Sequence, residues 1–451
     1  MTAPGGKYYV HDKLGIKQPH HESFARLWET RWEPLANSMT YPFLYTDKRD
    51  FEPIAQEMIR LNFKEPYEWQ SFASMFEPHA SNLYDTAAAA EQAGELEKAS
   101  EYYLRAANVW FISRYPHILT DIQRNAWERS KVSTLKGLQL RGIPMEEILV
   151  PHKHGLKSEG KHVPIWISLP SGASKESPVP IVFGIGGLDS WRPEMACFAA
   201  AYHQCGIGML LVEIPGTGDS PALIDDPKSP DRQWSSVLDW VDENEAIDSK
   251  KVVGWGISTG GYYAIRAAYT HHDRFLGMVS HGGACHHVFD PEWLDGIEYR
   301  EFAHSAAEAF AWKWGFQGDM EKAIRESSGR FSLLKDGTLD RSDCSRLLLI
   351  QGTEDTVFPV DDTYLCLEHG PPKEVRICNF SHVVYRSYNS KPPYVCCCGG
   401  DAFQLKDSKA QNGAIPVANG AIYHGMRDPA TGEFDPWLYK GNRCEELEAF
   451  Q

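Results

Sequence analysis

The residues best suited to chemistry in this sequence begin with a serine that lies between glycines. Ser258 occupies the motif Gly256–Ile257–Ser258–Thr259–Gly260, which follows an apolar segment at 251–255 and precedes a helical pattern at 262–269. Glycines on both sides allow a strand-to-helix turn so tight that the serine hydroxyl projects from it. The free N–H groups at the start of that helix favour developing negative charge. The motif therefore predicts a nucleophilic serine.

A serine hydroxyl becomes a nucleophile only when a base removes its proton, and that base needs an acid to orient it. The predicted acid is Asp355, which follows an apolar strand predicted at 347–351 and so lies at the same sheet edge as Ser258. Two histidines compete for the base, His382 directly after the next predicted strand and His424 beyond an irregular segment. The position after a strand favours His382, and we predict a triad of Ser258, Asp355 and His382.

An acyl-transfer site also needs two backbone N–H groups that stabilise an oxyanion. One donor is expected from Thr259, directly after the nucleophile. The other is expected from Gly187 or Leu188, in the loop Gly186–Gly187–Leu188–Asp189 that follows a predicted strand at 179–184. The carboxylate of Asp189 could orient the substrate or take part in proton transfer, and it could equally cap the following helix.

Short apolar strands alternate with helical segments through the middle of the chain, which predicts an α/β fold with a mostly parallel sheet flanked by helices. An antiparallel pair is predicted at 147–150 and 162–169. Further strands are predicted from their apolar character at 179–184, 208–213, 252–255, 276–280, 347–351 and 374–380.

We predict two domains, a helical lid or cap domain over 1–142 and a catalytic domain over 143–451. In the first, 83–114 is expected to form two helices with a break near Gly94. The catalytic domain is expected to carry two insertions. An aromatic, helical insertion at 284–340 should cover the ligand-binding edge of the sheet, and the segment 383–412 has no periodicity and is interpreted as an irregular insertion.

The composition argues against several classes of function. The formal net charge is -16 and no basic cluster interrupts it, which argues against binding to nucleic acid or to anionic membranes. We find no secretory signal or membrane-spanning segment, and most of the 10 cysteines are isolated in apolar runs, so we expect a cytoplasmic, reduced protein. The adjacent cysteines 396–398 lack zinc-ligand spacing, and we expect no metal and no organic cofactor.

Taken together, these motifs resemble the α/β-hydrolase superfamily over roughly 145–382, and more narrowly its FrsA-like branch. The narrower resemblance rests on the loop Gly186–Gly187–Leu188–Asp189–Ser190 and on the helical unit around 93–107. Proteins of this kind include fungal hydrolases that shorten a polyketide in melanin pigment biosynthesis and a bacterial hydrolase that cleaves a C–C bond of a nicotine-derived diketone. The resemblance implies an N-terminal helical domain, a β-dicarbonyl or polyketide substrate and a possible homodimer.

The expected function is a serine hydrolase that cleaves a C–C bond or an ester of a polyketide-type secondary metabolite through an acyl-enzyme. An alternative on the same triad is an acyltransferase, which would pass the acyl group to an alcohol or amine, or a carboxylesterase. An alternative of another class is a catalytically silent fold that serves as a binding module. The expected partner is a small molecule, an aromatic polyketide or an acyl ester.

Overall fold

The computed structural model describes residues 7–46, 48–379 and 381–382, together with the backbone of two short paired strands, Met426–Arg427 and Phe434–Asp435. The predicted irregular insertion at 383–412 and the alternative base His424 lie outside the described residues.

The centre of the fold is an eight-stranded sheet with the spatial order β1-β2-β4-β3-β5-β6-β7-β8. The first two strands pair antiparallel with each other, and β2 pairs antiparallel with β4. All pairs from β4 to β8 are parallel, so the predicted mostly parallel α/β sheet is confirmed. The strands are β1 Met145–Pro151, β2 His162–Ser168, β3 Val179–Ile185, β4 Gly208–Val212, β5 Ile247–Ile257, β6 Gly277–His281, β7 Arg346–Gly352 and β8 Glu374–Cys378.

Parallel strands place their carboxyl ends at one edge of the sheet, and that edge carries the predicted chemistry. The loop 186–190 follows β3, Ser258 follows β5, Asp355 lies in the turn after β7, and His382 lies shortly after β8. The central strand β5 is buried over its second half, where Val252, Val253 and Trp255 pack into the sheet. The strand order therefore converts four distant stretches of sequence into neighbours.

The N-terminal segment is helical, as predicted. The expected break at Gly94 is confirmed, since the chain passes from α5 to α6 there with a positive φ of 76°. A π-helical turn, Trp28–Trp32, joins the first two helices. The helices are α1 Phe24–Leu27, α2 Glu33–Ser38, α3 Lys48–Arg60, α4 Trp69–Ser74, α5 Glu77–Gln92, α6 Leu96–Arg114 and α7 Asp121–Leu140.

The remaining helices flank the sheet or lie in the segment between β6 and β7. That segment, predicted as an aromatic insertion at 284–340, contains three helices, α12 to α14. Short 3-10 turns occur at Pro19–His21, Ala196–Phe198, His287–Phe289 and Ile297–Tyr299. The helices are α8 Arg192–Met195, α9 Ala199–Gln204, α10 Ser229–Glu243, α11 Thr259–Thr270, α12 Pro291–Leu294, α13 Ala306–Lys313, α14 Met320–Phe331 and α15 Val360–Glu368.

The apolar core continues from the N-terminal helices into the sheet. Leu104 of α6 and Leu138 of α7 belong to the same buried cluster as Trp166 and Met209 of the sheet. The N-terminal aromatic core is also in contact with Phe302 of the segment 284–340. The division at residue 142 thus stays a prediction, because the two parts share buried apolar surface. None of the described helices combines the length and the apolar character that a bilayer span needs.

Candidate active site

The turn that holds Ser258 has the conformation that its glycines predict. Ser258 has φ 56° and ψ -122°, a strained backbone for a residue with a side chain. A Cβ on Gly256 would lie 2.1 Å from the backbone oxygen of Gly260, and a Cβ on Gly260 would lie 2.3 Å from that of Ile185. Only glycine fits at either position, because backbone atoms occupy the space on both sides. The glycines therefore hold Ser258 at the start of α11.

Three of the predicted site residues form one hydrogen-bonded chain. His382 Nε2 lies 2.7 Å from Ser258 Oγ, and His382 Nδ1 lies 2.7 Å from Asp355 Oδ2. The ionised carboxylate of Asp355 can only accept a hydrogen bond, so Nδ1 of His382 carries a proton. Nε2 of His382 is therefore free to accept the proton of Ser258. The chain can thus move a proton from the hydroxyl to the imidazole.

The carboxylate of Asp355 is fixed by the turn in which it lies. Its side chain is 1% exposed, and its Oδ1 accepts hydrogen bonds from the backbone N–H groups of Val357 and Phe358, each at 2.8 Å. Gln351 Nε2 donates to Oδ2 at 2.7 Å, beside the bond from His382. These donors leave the carboxylate one orientation, which in turn sets the orientation of the imidazole.

The electrostatic surroundings of His382 favour its protonated form. Burial alone would lower the pKa of the imidazole, but the charge and hydrogen bond of Asp355 outweigh burial, with further contributions from Glu301 and Asp189. The pKa of His382 is consequently raised above its usual value of 6.5. A proton taken from Ser258 is therefore stabilised on the imidazole.

Glu301 is a member of the site that the sequence did not reveal. Its Oε1 accepts hydrogen bonds from the backbone N–H groups of His382 at 3.0 Å and Thr356 at 3.2 Å, and so links the loops after β7 and β8. Burial, followed by the charge of Asp355, raises the pKa of Glu301. Its only signal in the sequence was its place in the segment 284–340, which was predicted to cover this sheet edge.

The glycine loop after β3 lies directly against the nucleophile. A Cβ on Gly187 would lie 3.3 Å from the Cβ of Ser258, and one on Gly186 would lie 2.2 Å from the backbone oxygen of Ser190. The N–H of Gly187 donates to Ser190 Oγ at 3.1 Å, so this N–H is already engaged. Of the predicted oxyanion donors, Leu188 and Thr259 both line the cavity beside Ser258.

Asp189 is 8% exposed, and a residue of the N-terminal segment holds its backbone in place. Its backbone oxygen accepts a hydrogen bond of 2.8 Å from Arg114 Nη1, and its carboxylate interacts electrostatically with the hydroxyl of Tyr115. Burial and this nearby carboxylate raise the pKa of Tyr115 well above its usual value. Of the two roles left open for Asp189, capping of the next helix is wrong, because Trp191 occupies the N-cap position of α8.

The arginine that holds this loop is fully buried. Arg114 Nη2 donates to Glu194 Oε2 at 2.6 Å, and the guanidinium lies 3.6 Å from the centroid of the Trp191 ring. A second buried arginine, Arg192, donates from Nε to Glu213 at 3.0 Å and from Nη2 to Asp219 at 2.5 Å. These two ion-paired arginines fix the segment after the glycine loop.

The cavity above Ser258 has a volume of about 300 Å³ and is mostly apolar. It contains Ser258 and His382, and much of its wall comes from two other parts of the chain, the N-terminal helices and the segment 284–340. A cavity of this size and polarity suits a small organic molecule. Its aromatic lining includes Trp32, Tyr41, Tyr115, Phe198, Phe302, Phe310, Trp314 and Phe358.

One group of side chains in the described part of the chain has the types and spacing to coordinate a metal ion, namely His286, His287 and Asp290. Asp290 already lies 3.2 Å from the ammonium of Lys7 and accepts a hydrogen bond of 3.2 Å from Tyr8. A metal ion would have to compete with that existing ion pair. The adjacent cysteines at 396–398 lie outside the described residues.

Comparison with known proteins places this chain in a family. The family model for FrsA-like esterases matches residues 64–392. Esterase FrsA of Photorhabdus laumondii subsp. laumondii is 28% identical over 304 residues, 65% of either chain, and Esterase FrsA of Pectobacterium atrosepticum is 22% identical over 327 residues, 72% of this chain and 73% of its own. The chain thus spans just under two thirds of the length of the Photorhabdus relative.

Solved structures agree in fold. The 2,6-dihydroxy-pseudo-oxynicotine hydrolase superposes with a TM-score of 0.58 at 18% identity, covering 78% of this chain and 90% of its own. AbyA5 superposes with a TM-score of 0.52 at 19% identity, covering 67% of this chain and 82% of its own. With the sheet order and the turn at Ser258, these structures show that the chain has the α/β-hydrolase fold, and the family model over residues 64–392 shows that it belongs to the FrsA-like esterase family.

Proposed function

We propose that the protein is a serine hydrolase in which Ser258, His382 and Asp355 act as the catalytic triad. The observation that carries this proposal is the hydrogen-bonded chain from Asp355 through His382 to Ser258, which ends in a mostly apolar cavity. A strained serine backbone, a base and an oriented acid are the parts that acyl transfer needs.

In the proposed reaction, Ser258 Oγ attacks a carbonyl carbon of the substrate while His382 Nε2 accepts the hydroxyl proton. The N–H groups of Thr259 and Leu188 hold the oxyanion, since the Gly187 N–H is engaged by Ser190. The leaving group departs with the proton from His382, which leaves an ester on Ser258. His382 then removes a proton from water, and the resulting hydroxide releases the acid.

The substrate that we propose has a β-dicarbonyl or polyketide character, and the bond cleaved is a C–C bond or an ester next to a carbonyl. In the C–C case the electron pair of the broken bond passes to the carbon between the two carbonyl groups, which leaves as an enolate and takes the proton from His382. The aromatic walls of the cavity suit stacking on a flat conjugated molecule.

We propose further that the N-terminal helices and the segment 284–340 act as a lid. Both contribute walls to the cavity that contains Ser258, and Phe302 packs into the N-terminal aromatic core. A lid of this kind excludes water until the acyl-enzyme has formed.

The first test is covalent labelling with a fluorophosphonate probe, followed by peptide mass spectrometry. We expect a label on Ser258 in the wild type and none in Ser258→Ala. A folded wild-type protein that stays unlabelled would contradict the proposal, and so would a label on another serine.

Steady-state kinetics then separate the alternatives. We expect His382→Ala to lose at least 10³-fold in kcat on p-nitrophenyl butyrate, and His424→Ala to keep the wild-type rate. The reverse result would make His424 the base. Hydrolysis of a naphthopyrone-type polyketide without ester hydrolysis favours C–C cleavage, whereas products that change when an alcohol or amine is added indicate an acyltransferase.

A further inference from the structure

The cavity contains one permanent cation, and none of the described carboxylates forms a close ion pair with it. Arg31 is the only lysine or arginine among the described residues that line the cavity. It lies in the π-helical turn Trp28–Trp32, an uncommon conformation that often marks functional sites. Its Nη2 donates to the backbone oxygen of Glu301, and across the described residues it forms no ion pair with a carboxylate.

The carboxylates of the cavity interact mainly with groups other than Arg31. Glu194 pairs with Arg114, and the carboxylate of Asp189 acts on the buried hydroxyl of Tyr115, whose pKa burial and this carboxylate raise. Glu301 directs its Oε1 to two backbone N–H groups, and its charge acts on Arg31 without a close ion pair. The half-buried guanidinium is therefore left with donors to spare in an apolar cavity, where a charge without a close counter-ion is unfavourable.

The guanidinium is linked to the reacting groups through Glu301. Arg31 contacts Glu301, Glu301 accepts a hydrogen bond from the His382 backbone, and His382 contacts Ser258. A molecule that fills a cavity of about 300 Å³ can thus reach Ser258 and Arg31 at the same time.

Resting on the proposed function, we propose that Arg31 is a specificity-determining residue that binds an anionic group of the substrate in which two oxygens share one negative charge. The planar fork of a guanidinium matches such a pair of oxygens with two parallel hydrogen bonds. A carboxylate and an ionised β-dicarbonyl both have this arrangement. The substrate class is therefore a largely apolar molecule that carries a delocalised oxyanion a short distance from the carbonyl that Ser258 attacks.

The test compares neutral and anionic esters that differ by one carboxylate group. On the acyl side the pair is p-nitrophenyl butyrate and mono-p-nitrophenyl glutarate, and on the leaving-group side it is phenyl acetate and 4-acetoxybenzoate. We expect Arg31→Gln to lower kcat/KM for the anionic member of one pair about 10- to 100-fold more than for its neutral partner, the range for a lost hydrogen bond to a charged group. The ratio of anionic to neutral activity of Arg31→Lys should lie between those of wild type and Arg31→Gln, because lysine keeps the charge but lacks the planar pair of donors.

Arg26→Gln is the matched control, since Arg26 is an exposed arginine of the neighbouring helix α1 that pairs with Glu29. We expect it to keep the wild-type ratio of anionic to neutral activity. If Arg31→Gln also keeps the wild-type ratio in both pairs, the assignment of Arg31 is overturned.

Calorimetric titration of glutarate into Ser258→Ala tests the same assignment without turnover. Binding that is lost in Ser258→Ala/Arg31→Gln supports it, and equal affinity of the two proteins overturns it. A wild type that hydrolyses no ester, yet binds glutarate through Arg31, would overturn the proposed hydrolase and leave the anion subsite standing.

Discussion

Removal of the buried Arg114 should destabilise the fold and the glycine loop together. Arg114 pairs with Glu194 at 2.6 Å and donates to the backbone oxygen of Asp189, and its side chain is fully buried. Arg114→Met keeps most of the apolar volume but leaves the Glu194 carboxylate without its counter-charge. Breaking a buried ion pair from one side costs about 3–5 kcal/mol of unfolding free energy.

Replacing Glu194 as well measures how much of that cost comes from the carboxylate that has lost its counter-charge. Glu194→Gln can still accept the hydrogen bond that Trp191 N–H now gives to the carboxylate at 2.7 Å. We therefore expect Arg114→Met/Glu194→Gln to recover much of the lost stability, with a coupling of about 1–3 kcal/mol in the double-mutant cycle. The bond to Asp189 is not restored, so kcat should stay about 10- to 100-fold below wild type in both variants.

The pH dependence of stability gives an independent check. Burial raises the pKa of Glu194, and Arg114 opposes that rise. Without Arg114 the folded-state pKa lies further above the unfolded one, so the folded protein binds the extra proton and loses stability as the pH rises from about 4.5 toward the folded-state pKa. We expect Arg114→Met to become less stable from pH 5 to 8, more steeply than wild type, and the double variant to lose that dependence.

The assay is thermal unfolding by circular dichroism at several pH values, with ester hydrolysis measured on the same samples. Arg26→Met serves as the control, because its ion pairs are exposed and such pairs contribute about 0–1 kcal/mol. A variant Arg114→Met with wild-type stability and wild-type kcat would refute the idea that this ion pair positions the loop.

Three further predictions concern single groups. In a pH–rate profile, kcat/KM should fall as the pH falls through the raised pKa of His382. Asp355→Asn should shift this acidic limb of the profile to lower pH and lower kcat about 10³- to 10⁴-fold. Gly187→Ala should lower kcat about tenfold, because its Cβ would lie 3.3 Å from that of Ser258, while thermal unfolding changes little. Burial lowers the pKa of Lys313 well below 10.5, so between the two pKa values the unfolded chain binds one more proton than the folded chain. The free energy of unfolding should therefore rise with pH toward 10.5. Thermal unfolding at pH 7 and 9 should show a weaker rise for Lys313→Met than for wild type.

The parts of the site that could be predicted are those fixed by local backbone geometry. The turn at Ser258 needs glycine at Gly256 and Gly260 because backbone oxygens lie 2.1 Å and 2.3 Å from the Cβ positions, and such a demand leaves a motif in the sequence. Asp355 and His382 could be placed because each follows an apolar strand of a parallel sheet, whose carboxyl ends share an edge. Their catalytic roles stay predictions.

The residues that could not be predicted act across long sequence separations. Arg114 ends a helix whose pattern gave no reason to bury its guanidinium, and its partner Glu194 lies 80 residues away. Glu301 and Arg31 reach the cavity from segments without a recognisable motif, and they meet 270 residues apart. Tertiary packing alone brings such pairs together, and a single sequence has no local signal for it.

The internal pairing of polar groups also limits what the cavity can do. Glu194 pairs with Arg114, and Glu301 directs one carboxylate oxygen to backbone N–H groups, so these two carboxylates mainly shape the walls. Among the described lining residues, the groups that can act on a substrate include the hydroxyl of Ser258 with its base, the proposed oxyanion donors Thr259 and Leu188, and the guanidinium of Arg31. In a mostly apolar cavity each of these interactions is stronger than it would be in water. Selectivity should therefore depend on where the substrate carries its negative charge relative to its reactive carbonyl, more than on the apolar surface that it presents.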